Sequence, residues 1–505
     1  MTMQSYTTAN GDELLYCGTP DFAHLDQLAQ GAGDIWHSGL DQGFKNALPE
    51  IMYQTTVFLW YVRDFDGLDV AVSWRINPDG FAVRKRVWEH YDGFSKGFES
   101  RDTAALHFGF NALRTGAVVL HVSGLFQADK RSPRIPVRDR YRFFYKSFSP
   151  QHALYMLVRR WWNPLEWWGF VGGRSGRVTY TALPAPSLNG TIEGAPKVSY
   201  VVPTMNRQEI MVQLLGDLSQ QTYLPYEVIV VDATQEGCDR TIYSKNDYPF
   251  DLRVVWQEEK GSCRQRNVGI AISRGDYILF GDDDLRLPPE FIANHVRFLQ
   301  TRKVDAATGL DIRAGNHLEN LSDLARREKT YPNRWLSGVS MYMSNSNAIV
   351  ARQKVLDCIG NDLNYEGGYG EDNDFGLMLI KSGTLLLHNP HALLLHLKPP
   401  VGGYRLWGQQ AKVTGTARKQ LPWELGEPVK RIKPLPAPTV MYYYLKHFDA
   451  RVVREYRFKA AFNRIFNNGL TKIPLRLLQE PLRQLQYKRS VFYAQRLRDR
   501  GAKYE

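Results

Sequence analysis

The sequence predicts an α/β protein. Its centre is a mostly parallel sheet covered by helices on both faces, and the chain turns helical towards its end. Between about 196 and 400, short apolar runs alternate with stretches of helical period. Runs such as "KVSYVVPT" and "EVIVVDAT" are continuous rather than alternating, as in strands buried on both faces. Carboxylates stand where these runs end, at Asp232 and at Asp282, Asp283 and Asp284, and open α/β sheets bind ligands outside the carboxyl ends of their strands.

Taken in order, "KVSYVVPT" is a buried strand and "RQEIMVQLLGDLSQQT" a helix. "YEVIVVDAT" is a second strand and "LRVVWQ" a third. "SCRQRNVGIAISRG" is a helix closed by Gly275, and "DYILFGDDD" is a fourth strand. "PPEFIANHVRFLQ" is a helix with prolines in its first turn. After Gly402 the chain is expected to be helical.

The 505 residues, 43% hydrophobic and 12% aromatic, give a folded protein of several domains. The four cysteines, Cys17, Cys238, Cys263 and Cys358, lack metal-ligand spacing, which fits a reducing compartment. The start has no signal-peptide pattern and no apolar run reaches a membrane span, so the protein is expected in the cytoplasm. The net charge is +12, and from Arg451 onward 14 basic residues face 4 acidic ones. Such an end suits an anionic membrane face or an acidic substrate as well as a solvated helix.

Residues 81–121 align with 348–388 without a gap, at an offset of 267 (348 less 81). Val83 falls on Val350, Phe108-Gly109 on Phe375-Gly376, Gly116 on Gly383 and His121 on His388. This is the pattern of an internal duplication. Glu371-Asp372 correspond to Ala104-Ala105, and too few residues precede the first block for a nucleotide-binding half. The expected organisation is a degenerate, non-catalytic module (1–126), an aromatic and basic connector (127–195), a catalytic domain (196–400) and a basic helical region (401–505). In the connector, Trp161, Trp162, Trp167 and Trp168 suit either a membrane interface or packing between domains.

Three adjacent aspartates repel one another unless a cation or a solvated turn relieves them. Two carboxylates one residue apart at a strand end can hold a divalent cation such as Mg²⁺ or Mn²⁺, completed by substrate phosphates. Arg264 and Arg266 open the next helix upstream, where cationic groups and helix amides favour phosphate, unless they are merely solvated. "GGYGEDNDFGLML" places Glu371, Asp372 and Asp374 at a helix start after a flexible loop. Asp372 there suits a base taking a proton from a hydroxyl, and Asp374 a simple cap.

Five segments in order, "VVPTMNR", "EVIVVDAT", "CRQRNVGI", "GDYILFGDDDLRLPPEF" and "GGYGEDNDFGLML", resemble the motifs of glycosyltransferase family two over about residues 196–400. The resemblance implies the A-type glycosyltransferase fold and an inverting transfer from a nucleoside-diphosphate sugar, UDP- or dTDP-linked, with Mn²⁺ or Mg²⁺. By position it implies Thr204, Arg207 and Asp232 at the nucleotide, Arg266 near the pyrophosphate and Asp283 in the donor site. It implies Asp282 and Asp284 as a DxD metal pair, and Asp372 as the base. It also implies His396 as a third metal ligand, with a buried structural histidine as the alternative. The chain departs from the motif after Asp232, where "AT" replaces the usual small polar or acidic follow-up. The implied partners are the donor and a glycan or lipid-linked acceptor in bacterial surface polysaccharide synthesis, with no nucleic acid. Peripheral contact with an anionic membrane at its inner face remains a candidate. A nucleotidyltransferase would instead set such aspartates in a hairpin between strands, and a binding module would use the same groove without turnover.

Overall fold

The computed structural model describes all residues except 1–2, 41–47, 49, 52–66, 128–130, 236, 332–335, 341, 401, 405–419 and 467–468. Of the stretch expected to be helical after Gly402, residues 405–419 therefore lie outside the described residues, and helices follow at Pro438–His447, Ala450–Phe466 and Ile473–Arg500. The chain divides into two compact units. One comprises Met1–Ala185, Leu336–Met341 and Phe448–Leu478; the other comprises Pro186–Trp335, Tyr342–His447 and Gln479–Glu505.

The first unit holds a six-stranded sheet of β1 (Gln4–Thr7), β2 (Glu13–Cys17), β3 (Ile35–His37), β4 (Val70–Val72), β5 (Phe81–Arg84) and β6 (Val119–Val122), in the order β1-β2-β5-β3-β6-β4. Its helices are α1 (Phe22–Ala29), α2 (Lys85–His90), α3 (Arg101–Arg114), α4 (Val137–Ser147), α5 (Pro150–Arg159) and α6 (Pro164–Gly172). The last three come from the stretch expected as a connector, which instead folds into this unit. Helix α6 buries Glu166 and Gly169, and Glu166 accepts from Tyr141 (2.8 Å) and pairs with Arg140 (2.6 Å) on α4. That packing turns Trp161, Trp162, Trp167 and Trp168 outward, 64, 68, 51 and 56% exposed.

The second unit holds an eight-stranded sheet. Its strands are β7 (Val198–Thr204), β8 (Glu227–Asp232), β9 (Asp251–Trp256), β10 (Tyr277–Gly281), β11 (Leu285–Arg286), β12 (Ala306–Arg313), β13 (Asn347–Ala351) and β14 (Leu386–His396), in the order β11-β14-β12-β13-β10-β7-β8-β9. Strands β10, β7, β8 and β9 run parallel, and β13 runs antiparallel between β10 and β12. The unbroken apolar runs of β7 and β8 are wholly buried, as their sequences require. Connecting helices are α7 (Gln208–Ser219), α8 (Ser262–Ile272), α9 (Phe291–Arg302), α10 (Leu321–Glu328), α11 (Arg352–Asp357) and α12 (Glu371–Lys381), followed later by α13 (Pro438–His447).

Two local expectations change. Helix α8 ends at Ile272 with Ser273 as its C-cap, short of Gly275. Pro288 and Pro289 precede α9 rather than form its first turn, and Glu290 is the N-cap. After the aspartates, Leu285 and Arg286 pair with His396 and Leu395 of β14, not with β10, so there is no hairpin at that site.

The two sheets share a register. Strand β3 pairs antiparallel with β5 (Ile35↔Val83) and parallel with β6 (Ile35↔Val119). Strand β12 pairs antiparallel with β13 (Ala306↔Val350) and parallel with β14 (Ala306↔Leu386). Val83 and Val350, and Val119 and Leu386, are both separated by 267 (350 less 83, 386 less 119). On its other side β5 meets β2 antiparallel, as β13 meets β10.

Candidate functional site

A cavity of about 300 Å³ opens beyond the carboxyl ends of β7, β10, β12 and β14. Arg207, Arg266, Asp282, Asp283, Asp284, Arg313, Glu371 and His396 line it, with the loop 366–369 and Tyr404. A second cavity of about 210 Å³ adjoins it through Arg266, Asp282, Arg313, Glu371 and His396, and adds Asp311, Tyr342, Ser344, Ser346 and Asp372.

The three aspartates do different work. Asp282 is partly exposed and pairs with Arg266. Asp283 is buried and takes the Thr204 hydroxyl (2.9 Å) and Arg207 Nη1 (2.9 Å). Burial pushes its carboxyl up to about 6 despite Arg207, and Asp284 adds to the rise. Asp284 takes the same Arg207 nitrogen (3.0 Å) and faces His396 Nε2 at 3.2 Å. The sheet sets that last contact, because Leu285 pairs with His396 and the amide of Leu397 donates to the Asp284 carbonyl (2.8 Å). One ligand atom each from Asp282, Asp284 and His396 fall within 4.8 Å of one another, two carboxylate oxygens and an imidazole nitrogen. That donor set suits Mn²⁺ or Mg²⁺. Burial opposes a charge on His396, but Asp284 overrides it and holds the ring up to about 10.

Across the second cavity stands Asp372, at the start of α12. Its Oδ1 accepts from the Asn345 amide at 3.3 Å. Burial and the adjacent Glu371 hold Asp372 well above the ordinary carboxylate range, and Arg266 opposes them. Gly370 precedes the helix at φ +115, where a side chain would be strained. The glycine loop is tied rather than loose: the Tyr369 amide donates to Thr439 on α13 (2.9 Å), and Gly368 packs on the same threonine.

Other predicted residues sit elsewhere. Asp232 is buried and receives Gln208 (3.0 Å), Tyr243 (2.8 Å) and the Thr234 amide (2.7 Å), so its carboxylate is engaged inside the fold. Neither Asp232 nor Thr204 lines the cavities. Arg264 pairs with Glu259 (2.9 Å) and does not reach the cavity. The amides at the start of α8 are occupied by Glu366, whose Oε1 accepts from the Arg264 amide (3.0 Å), so they are not free for phosphate as expected. Asp374 is no simple cap. It receives His447 (2.6 Å), Lys446 (2.8 Å) and Tyr365 (3.0 Å), and these partners overcome burial and hold it below the usual range.

Sequence reading missed Asp311, Arg313, Glu366 and Tyr404. Asp311 and Arg313 end "AATGLDIR", a strand whose run is interrupted by Gly309 and so lacks the continuous apolar signal. A carboxylate near the carboxyl end of a strand was the available cue.

Residues 199–359 match Glycosyl transferase family 2. The chain is 38% identical over 94 residues to an uncharacterized glycosyltransferase of Haemophilus influenzae, covering 18% of this chain and 31% of that one. It is 28% identical over 113 residues to the poly(ribitol-phosphate) beta-N-acetylglucosaminyltransferase TarS of Staphylococcus aureus, covering 22% and 20%. The crystal structure of TarS 1–349 from S. aureus with UDP-GlcNAc overlaps 60% of this chain and 82% of that one, with 18% identity and a TM-score of 0.38. The chain thus spans about a third or less of the length of these curated relatives. The segment that matches glycosyltransferase family two thus carries β7 to β13 and all three aspartates of the cavity.

Proposed function

We propose that this protein is a metal-dependent, inverting glycosyltransferase that moves a sugar from a nucleoside-diphosphate sugar, UDP- or dTDP-linked, to an acceptor hydroxyl. One observation carries the reading: Asp282, Asp284 and His396 converge to within 4.8 Å, and a buried carboxylate, Asp372, lies in the cavity that adjoins them. A divalent cation on those three residues would neutralise charge on the departing diphosphate. Arg266 lies under both cavities and supplies fixed positive charge to the leaving group. Arg207 keeps Asp283 and Asp284 in place while facing the first cavity. Thr204 and Asp232 end adjacent strands behind the cavity, so their part at the nucleoside is indirect: the Thr204 hydroxyl holds Asp283, and Asp232 holds Gln208 and Tyr243. Asp372 accepts the proton of the acceptor hydroxyl, whose oxygen forms the new bond as the bond to the diphosphate breaks; the anomeric centre inverts. Mass analysis of products from a panel of nucleotide sugars with Mn²⁺, in wild type and Asp284→Ala, tests this. Transfer unaffected by chelator and by the substitution would refute it.

The acceptor in this reading is a glycan or a lipid-linked glycan of bacterial surface polysaccharide, handled in the cytoplasm. Attachment to the inner face of the membrane is peripheral. No helix among the described residues is long and apolar enough to cross a membrane. Peripheral attachment is supported by α6 and its flank, which turn four tryptophans, Leu165 and Val171 outward. In residues 150–177, Glu166 is the sole acid and is buried, whereas Arg174 and Arg177 are exposed, a combination suited to an anionic interface.

The first unit fits a degenerate partial copy that carries no catalysis. Its shared register with β10 and β12–β14 supports this, as do Ala104 and Ala105 buried where Glu371 and Asp372 stand. Arg131 in this unit is paired to Asp102 and Asp79 at 2.7 Å each.

A further inference from the structure

Strands β12 and β14 fall out of step at Gly309. Ala306, Ala307 and Thr308 pair with Leu386, Leu387 and His388, but Leu310 pairs with Leu393, so β14 carries three extra residues at this bulge. A Cβ on Gly309 would lie 2.3 Å from the Ala392 carbonyl oxygen, so the approach requires glycine. Beyond the bulge Asp311 pairs with Leu394 and Arg313 with His396, which brings Asp311 and His396 to one face of the sheet.

The imidazole of His396 then stands between two carboxylates. Nε2 is 3.2 Å from Asp284, and Nδ1 is 3.7 Å from Asp311 Oδ2. Both His396 Nδ1 and Asp311 Oδ1 are buried without a hydrogen bond. Asp311 is itself held, its Oδ2 receiving the hydroxyls of Ser346 (2.5 Å) and Ser344 (3.3 Å). An imidazole that ligates a cation through Nε2 carries its proton on Nδ1, and that N–H needs an acceptor.

From this geometry we infer that Asp311 is a positioning residue of the cation site: it accepts the Nδ1–H of His396, fixes the ring so that Nε2 faces the ion, and acts only through His396. The inference rests on the proposed cation site of Asp282, Asp284 and His396. Ser344 and Ser346 fix Asp311 in turn, so the site is built three layers deep from β12, β14 and the turn before β13.

The test is Mn²⁺ binding by the full chain without donor or acceptor, followed by electron paramagnetic resonance of free Mn²⁺, with pulsed detection of imidazole nitrogen coupled to the bound ion. Asp311→Ala is expected to weaken Mn²⁺ binding about 10- to 100-fold and to diminish the nitrogen signal. His396→Ala is expected to remove that signal, and adding Asp311→Ala to it is expected to weaken binding no further. If Asp311→Ala does not fold, Asp311→Asn serves, because it keeps the volume and its amide can donate to Nδ1 and enforce the wrong tautomer. Wild-type affinity with an intact nitrogen signal in the Asp311 variant would overturn the inference, as would losses that multiply in the double variant. Failure of the wild type to bind Mn²⁺, or unchanged binding in Asp284→Ala, would instead overturn the cation site, and the inference with it.

Discussion

Replacing Asp372 by Asn isolates the proton-transfer step. The amide keeps the shape of the side chain and can still accept from the Asn345 amide, which lies 3.3 Å from Oδ1, but it cannot take a proton. General-base contributions run from about 100- to 10,000-fold, or roughly 3–5 kcal/mol on the barrier. The upper half of that range is expected, because Asp372 is raised well above its ordinary value by burial and by Glu371. A base so raised discriminates strongly between its charged and neutral forms. The pH profile carries a second signature. Transfer needs the deprotonated form, so wild-type kcat/KM rises with pH through the Asp372 pKa, and this limb disappears in the variant. Stability moves the opposite way. The folded-state pKa lies above the unfolded 3.8, so the native state holds the proton longer and wild type loses stability as pH climbs between the two values. The variant escapes that loss, and at neutral pH it is expected to melt no lower than wild type. Steady-state transfer across pH and calorimetry read both effects. Activity within tenfold of wild type, or an unchanged acid limb, would show that Asp372 is not the base.

The other predictions address the ion, the packing and the surface. Asp284→Ala is expected to abolish Mn²⁺-stimulated transfer, at a cost of only about 1–3 kcal/mol in urea unfolding, because Arg207 keeps Asp283 as a partner; full activity in excess Mn²⁺ would count against the site. Lys459 lies buried 4.2 Å over the Tyr155 ring, and burial lowers it from 10.5 to about 7 against the pull of Glu455. Its folded pKa is depressed, so wild type gains stability as pH rises from 7 towards 10.5. Lys459→Met is therefore expected to stabilise by roughly 2–4 kcal/mol at pH 7, after discounting the lost cation–π contact, with the gain shrinking at pH 10; a gain independent of pH would contradict the burial argument. Trp161→Ser/Trp168→Ser is expected to cut co-sedimentation with anionic vesicles at least tenfold while sparing transfer to a soluble acceptor; equal binding to neutral vesicles would exclude the charged interface.

Much of the second unit could be read from the chain because its strands are continuous apolar runs. Strands β7, β8 and β10 lie where "VSYVVPT", "EVIVVD" and "YILFG" stand, and the aspartates follow at the strand ends. What the chain did not disclose depends on pairing between distant segments. The resemblance placed His396 beside Asp284, but not the means, a two-residue strand, Leu285–Arg286, that lies against β14. Asp374 reads locally as a helix cap, yet its partners Lys446 and His447 come some 70 residues later, on α13. The tryptophans read equally as core or interface, since composition does not say which way α6 turns; Glu166 and Gly169 mark the side it buries. The register shared by the two sheets was visible as a gapless offset, whereas the fate of 127–185 was not, because helices rich in Arg and aromatic residues suit a linker and a packed layer alike.

The same long-range pairing constrains how a diphosphate can be held. A helix start usually offers free amides to an anion, and α8 opens directly on the cavity. Here Glu366 already accepts from that start, and its burial, which raises its pKa, is offset by those same amides. A donor phosphate approaching α8 would meet a carboxylate rather than open N–H groups. The positive field of the cavity must therefore come from side chains, chiefly Arg207, Arg266 and Arg313, and from whatever cation Asp282, Asp284 and His396 hold. Two of those arginines are already partnered by the aspartates, Arg207 with Asp283 and Asp284 and Arg266 with Asp282. Charge arriving on the three aspartates would release part of that pairing. In the proposed reaction, cation and donor binding are thus coupled through the arginines, which can turn to phosphate only as the aspartates gain another partner.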